Sequence, residues 1–245
     1  MGFFGLFYPW GVILQALAIV HFFRRRPEQY WFFVIIFLGP VGAAVYLLVE
    51  VVPDLGLLRH VYAAMGRRKR IAHLEAVVQQ NPSAGNYEEL GDLLLDEKQY
   101  VRARECFDRA ISPRTMSPDP VYRRGIAEIH LGDFAAAVRD LEHVTERDSR
   151  YDSHRAMGLL AHAYAGNGQP AEAAAAFERA TAFSTLSETC VNYATFLASQ
   201  QRHADARDWA GRVLASRQAM PRYLQRRERH WFRQASALLK RLPKA

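Results

Sequence analysis

Small and bulky residues return at nearly fixed intervals through most of this 245-residue chain, and no other feature restricts its possible folds as much. Gly91, Ala103, Phe107 and Ala110 reappear 34 residues later as Gly125, Ala137, Leu141 and Val144. They reappear after a further 36 as Ala161, Ala173, Phe177 and Ala180, and after 33 more as Ala194, Ala206, Ala210 and Val213. A period of this size is one supersecondary unit, too small to bury its own apolar face, so successive units must stack to make a continuous core. Helical periodicity places Tyr87, Leu90, Gly91 and Leu94 on one face of a first helix, and Tyr100, Ala103, Phe107 and Ala110 on one face of a second. Pro113, Pro118 and Pro120 end that pair. Leu131-Gly132-Asp133-Phe134 and Gly166-Asn167-Gly168-Gln169-Pro170 mark the turns of the next two pairs, while Gln200-Gln201-Arg202-His203 holds the corresponding place in the fourth without a glycine.

Spacing and residue types resemble the tetratricopeptide repeat, in which a small residue on the first helix admits a bulky residue of its partner. The resemblance implies an all-α solenoid of about four helix pairs over residues 84–220, with a concave groove lined by first helices and a role in holding a peptide or partner helix. The register aims Glu88, Asp92 and Asp96 of the first unit at that groove, then Tyr122, Ile126, Ile129 and His130, then Arg155, Gly158 and His162, then Val191, Asn192 and Thr195. Each of these also fits a plain solvated helix surface. Some proteins of this family clamp a terminal carboxylate with Lys and Asn at the corresponding places. Here Glu88 and Asp92 stand there, which implies a ligand of basic or apolar character.

The ends of the chain differ from its middle. Phe3 to Phe23 and Tyr30 to Val52 are long apolar runs, and about 20 helical residues suffice to cross a bilayer, so residues 1–56 are expected to form a two-helix transmembrane hairpin turned at Arg24–Gln29. Aromatic residues at the edges fit interfacial anchoring. A cleaved signal peptide would need a basic start, which Met1 to Phe7 lacks. Ala16 to His21, Arg24 to Pro27, Trp31 to Phe33, Leu38-Gly39-Pro40-Val41-Gly42 and Tyr46-Leu47-Leu48 resemble the N-terminal hairpin of cardiolipin synthases and related phospholipase D-type proteins. That family's catalytic His-x-Lys motif is absent, so the resemblance implies an anchor kept without the enzyme.

Residues 57–83 read as a basic juxtamembrane linker with a capping half-repeat whose helix ends at Asn81-Pro82-Ser83. Five positive residues after the second apolar run, against three in the turn, place the repeats on the cytoplasmic side of the inner membrane by the positive-inside rule. Arg67, Arg68, Lys69 and Arg70 are expected either to touch anionic lipid headgroups or to be a solvated run that sets topology. Residues 221–245 read as one basic amphipathic helix, with Tyr223, Leu224, Trp231, Ala235 and Leu238 covering the open end of the solenoid.

The net charge of +7 is unevenly spread. Residues 201–245 carry 12 Lys and Arg against 3 Asp and Glu, whereas residues 71–200 carry 12 against 19. Basic charge without a recognised fold or stacking platform is weak evidence for nucleic acid, which is disfavoured. Cys106 and Cys190 read as buried thiols. No H-E-x-x-H, C-x-x-C, Walker loop, nucleophile elbow or dinucleotide fingerprint occurs, and His154, His162 and Cys190 make a poor zinc set. The expectation is therefore a non-enzymatic, membrane-anchored adaptor with no cofactor, metal or small-molecule substrate, binding a protein or peptide partner. The alternative is an accessory protein for anionic phospholipid at the membrane surface.

Overall fold

The computed structural model describes residues 8–25, 30–47, 49, 57–112 and 117–243, and every regular element among them is a helix. They are α1 (Tyr8–Arg25), α2 (Tyr30–Phe37), α3 (Gly39–Tyr46), α4 (Leu57–Gln80), α5 (Ala84–Asp96), α6 (Tyr100–Ala110) and α7 (Asp119–Leu131). There follow α8 (Phe134–Arg147), α9 (Arg155–Gly166), α10 (Pro170–Phe183), α11 (Ser187–Ser199), α12 (His203–Ala219), α13 (Arg222–Arg227) and α14 (Arg229–Arg241). The chain divides into two compact units, residues 1–72 and 73–245.

In the first unit α1, α2 and α3 pack around Ala18, Trp31, Ile35, Ala43 and Tyr46. Polar groups inside it are satisfied locally: Gln15 Nε2 donates to the Ile35 carbonyl at 3.0 Å, and His21 Nδ1 lies 2.8 Å from the Tyr46 hydroxyl. Among the described residues the expected membrane hairpin is not found. Gly39 adopts a left-handed φ of +57° and breaks the second apolar run into two helices of 8 residues each, about 12 Å long against a hydrocarbon core of about 30 Å. α1 has 18 residues but includes Gln15, His21, Arg24 and Arg25. No helix among the described residues is long and apolar enough to cross a membrane, which overturns the expected multi-pass inner-membrane location. Gly42 lets α3 fold against α2, since a Cβ there would fall 2.0 Å from the Val34 carbonyl oxygen. Much of the apolar sequence stays on the outside of this unit, including Leu17, Phe23, Phe33, Phe37 and Val41. The turn at 26–29 and the boundary at Pro53–Gly56 lie outside the described residues.

The second unit is a row of antiparallel pairs, α5/α6, α7/α8, α9/α10 and α11/α12, each packed on the next. Within the first pair a Cβ on Gly91 would lie 2.7 Å from the Phe107 ring, so only glycine admits that fully buried phenyl group. Gly125 faces Leu141 in the same way at 3.1 Å. All four turns share one geometry. The amides of Gln99, Asp133, Gln169 and Arg202 donate to the carbonyls of Leu94, Glu128, Tyr164 and Leu197, and the residue before each amide (Lys98, Gly132, Gly168 and Gln201) has positive φ. Ser83 caps α5 through the Asn86 amide, and Asp133 caps α8 through the Ala136 amide.

Phe177, Tyr193 and Phe196 stack across the third and fourth pairs within a core that also holds Leu141, Val144, Leu160 and Leu197. The last segment is two helices, not one: the chain turns at Glu228 between α13 and α14. α14 then lies against α11 and α12, burying Phe232 and Ala235 over Cys190, Val191, Ala194, Ala210 and Val213. Tyr223, expected to cover that end, is 71% exposed.

Candidate partner groove

Three successive first helices each contribute one residue to a polar ladder that joins the pairs. Tyr122, Arg155 and Glu188 follow one another at intervals of 33. Arg155 Nε donates to Glu188 Oε2 at 2.6 Å, and its Nη1 reaches the Tyr122 hydroxyl at 3.4 Å. Tyr122 itself donates to Asp152 Oδ2 at 2.6 Å and rests edge-on against Tyr151. Tyr122 is only 5% exposed, so it is an inter-pair core residue and not a groove surface as expected. The same holds for Gly158, where a Cβ would meet Thr189 Oγ1 at 2.4 Å, and for buried Val191.

A cavity of about 620 Å³ opens beside this ladder. α7 supplies Ile126, Ile129 and His130; α9 supplies Arg155, Leu159 and His162; α11 supplies Glu188, Asn192 and Thr195. Its remaining wall is α14, through His230, Trp231, Gln234, Ala237, Leu238 and Arg241. Ile126, Ile129, His130, Arg155, His162 and Asn192 are thus brought together. Glu88, Asp92 and Asp96 belong to α5 and do not line the cavity. Asp92 is engaged by Arg123 Nε at 3.0 Å, and burial pushes its carboxyl up to about 6 despite that guanidinium.

Among the described residues of the cavity wall, one charge has no ion-pair partner, that of exposed Arg241 on α14. Arg155 and Glu188 cancel one another. Burial lowers the imidazoles of His130 and His162 below their ordinary value, so both are uncharged at neutral pH. His130 stacks on Tyr100 with ring centroids 4.3 Å apart, and His162 meets Phe134 edge-on. Beside them lie an apolar floor of Ile126, Ile129, Leu159, Trp231 and Leu238 and the amides of Asn192 and Gln234, the latter with its Nε2 2.9 Å from His230 Nε2 and its carbonyl oxygen left to accept.

Leu159, Glu188 and the α14 residues are absent from the sequence-based set. Glu188 carried a signal, its interval of 33 from Arg155, whereas α14 depends on how the terminal helix turns at Glu228. Elsewhere, burial raises both thiols, that of Cys190 to about 11, which suits packing and not nucleophilic chemistry. Among the described residues no group of three or more His, Cys, Asp or Glu is placed to hold a metal ion. Arg67, Arg68, Lys69 and Arg70 lie on α4, and with no spanning helix described, nothing supports their contact with lipid.

Pairs of antiparallel helices at a 33 to 36 residue repeat, stacked with a concave groove, define an α-solenoid of the tetratricopeptide type. Residues 122–187 match the family model of the tetratricopeptide repeat. The fold is similar to that of YrrB, described as a TPR protein with an unusual peptide-binding site, at 16% identity and a TM-score of 0.52 over 68% of this chain and 86% of that one. It is similar also to MamA from Desulfovibrio magneticus RS-1, at 17% identity and 0.57 over 67% and 93%. PilW, a type IV pilus biogenesis factor, matches at 15% identity and 0.53 over 84% and 93%. No curated protein matches the sequence. Nothing in these comparisons supports the resemblance to cardiolipin synthases.

Proposed function

We propose that the groove bounded by α7, α9, α11 and α14 binds a peptide segment or partner helix through apolar side chains. A tetratricopeptide fold suggests a protein-interaction scaffold, and the observation that carries the finer reading is the apolar floor of the 620 Å³ cavity, rimmed by amides and a self-neutralised ion pair. Such a site favours aliphatic or aromatic anchors over charged ones, because a charge placed on its floor would lose solvent, and a cation would also meet Arg241. The acidic residues of α5 lie outside the cavity, so a basic ligand loses its motivation. The peptide backbone would be held by Asn192 and Gln234, whose amides can both donate and accept. YrrB, similar in fold, is described as having a peptide-binding site, which agrees with this reading without establishing it.

The test is selection from a displayed peptide library on the full chain, followed by affinity measurement. Selected peptides should share apolar anchors, and Ile129→Glu or Leu159→Arg should weaken them by at least about tenfold, equivalent to roughly 1.4 kcal/mol. Peptides whose binding ignores both changes would place the partner site elsewhere.

A further inference from the structure

A second cleft, of about 1250 Å³, lies between the C-terminal half of α12, α13 and the outer face of α14. Its lining includes Arg217, Arg222, Arg226, Arg229, Arg233 and Lys240, all exposed, and among the described residues no carboxylate. Several arginines of the repeats are matched with acids: Arg102 with Glu75, Arg104 with Asp133, Arg123 with Asp92, Arg124 with Asp108 and Asp140, Arg155 with Glu188. None of the six cleft cations has an ion-pair partner among the described residues. Gathering like charges around one concavity opposes folding through mutual repulsion, and it focuses an attractive field on an anion.

We infer that this cleft binds an acidic peptide segment, carboxylates meeting the arginines and an apolar side chain resting between them. Charge complementarity requires the acid. The floor provides the apolar part through half-buried Leu214 and exposed Ala237, while Phe232 is buried beneath Arg217, whose guanidinium sits 5.9 Å from the ring centroid. A peptide is favoured over single-stranded nucleic acid because the only aromatic ring in the lining, Phe232, is buried and offers no face for a base. Guanidinium groups suit carboxylates through paired, planar hydrogen bonds. The cleft shares only the backbone of α14 and Ala237 with the apolar groove, so the two sites can fail separately.

Fluorescence anisotropy of a fluorescein-labelled peptide of glutamates and leucines, titrated with the full chain, tests this. Saturable binding that weakens with added salt is expected, with Arg226→Glu and Arg233→Glu each reducing affinity about tenfold and Ile129→Glu leaving it unchanged. Circular dichroism identifies any variant that does not fold, and exposed Arg222→Glu then replaces it. Absence of binding, or binding indifferent to these reversals, overturns the proposal. So does tighter binding of an oligonucleotide or of phosphatidylglycerol vesicles through the same arginines.

Discussion

Lys98 and Gln201 occupy left-handed backbone, φ 60° in both, where the second and third pairs use Gly132 and Gly168. A side chain in that conformation costs roughly 1 kcal/mol, partly offset by the lower entropy of its unfolded chain. Gln201→Gly should therefore stabilise the chain by about 0.5 kcal/mol, read as a higher denaturant midpoint with an unchanged slope. A turn lacking its expected glycine was thus no evidence against the fourth pair; the hydrogen-bonded loop imposes the conformation on whatever residue stands there. Glu128 is a different case. It is 5% exposed, its Oε2 has no hydrogen-bond partner among the described residues, and Arg124, 4.0 Å away, is committed to Asp140 at 2.6 and 2.8 Å and to Asp108 at 2.8 Å. Burial first, then the Asp140 charge, pushes its carboxyl from 4.5 up to about 8. The folded chain then binds a proton the unfolded chain has released. Glu128 thus supports folding fully below pH 4.5, and that support is lost as pH rises through about 8. Glu128→Gln should raise stability by about 1–3 kcal/mol above that pH and leave it unaltered near pH 4, in a pH series of melting temperatures. Nothing in the sequence distinguishes Glu128 from its many solvated counterparts, because its protonation follows from where Asp140 and Arg124 meet.

Among elements, α14 has the most consequence. It turns an otherwise bare α11/α12 face inward and at the same time forms one wall of each cleft. Phe232→Ala should cost about 3–5 kcal/mol of local stability. In a stacked array that loss is felt mainly by its neighbours, so amide exchange should accelerate in α11 and α12 and stay near its original rate in α7 and α8. Equal acceleration throughout would mean that the repeats open as one block. The eight repeat helices were legible in the sequence since small and large residues alternate on a period that only paired helices can satisfy. The described part of the first 52 residues was misread for a related reason: a run of apolar residues reports burial or membrane equally, and length alone decided between them. Gly39, with its left-handed φ, shortens that run below what a bilayer demands.

For the whole molecule, the unequal charge of the sequence becomes spatial in residues 73–245. Within the repeats several acids pair with neighbouring arginines, and a surplus of base collects around α13 and α14. Groove residues from three consecutive pairs could be guessed because a repeat carries each position forward by 33 to 36 residues. The wall contributed by α14 could not, since no repeat precedes it from which to extrapolate. That the apolar groove touches α7, α9, α11 and α14 together has a mechanical outcome. Helix pairs in a row otherwise feel only the pair on either side, and a ligand laid across three of them acts as a splint, so that occupancy stiffens the stretch it covers and makes it open as a single piece.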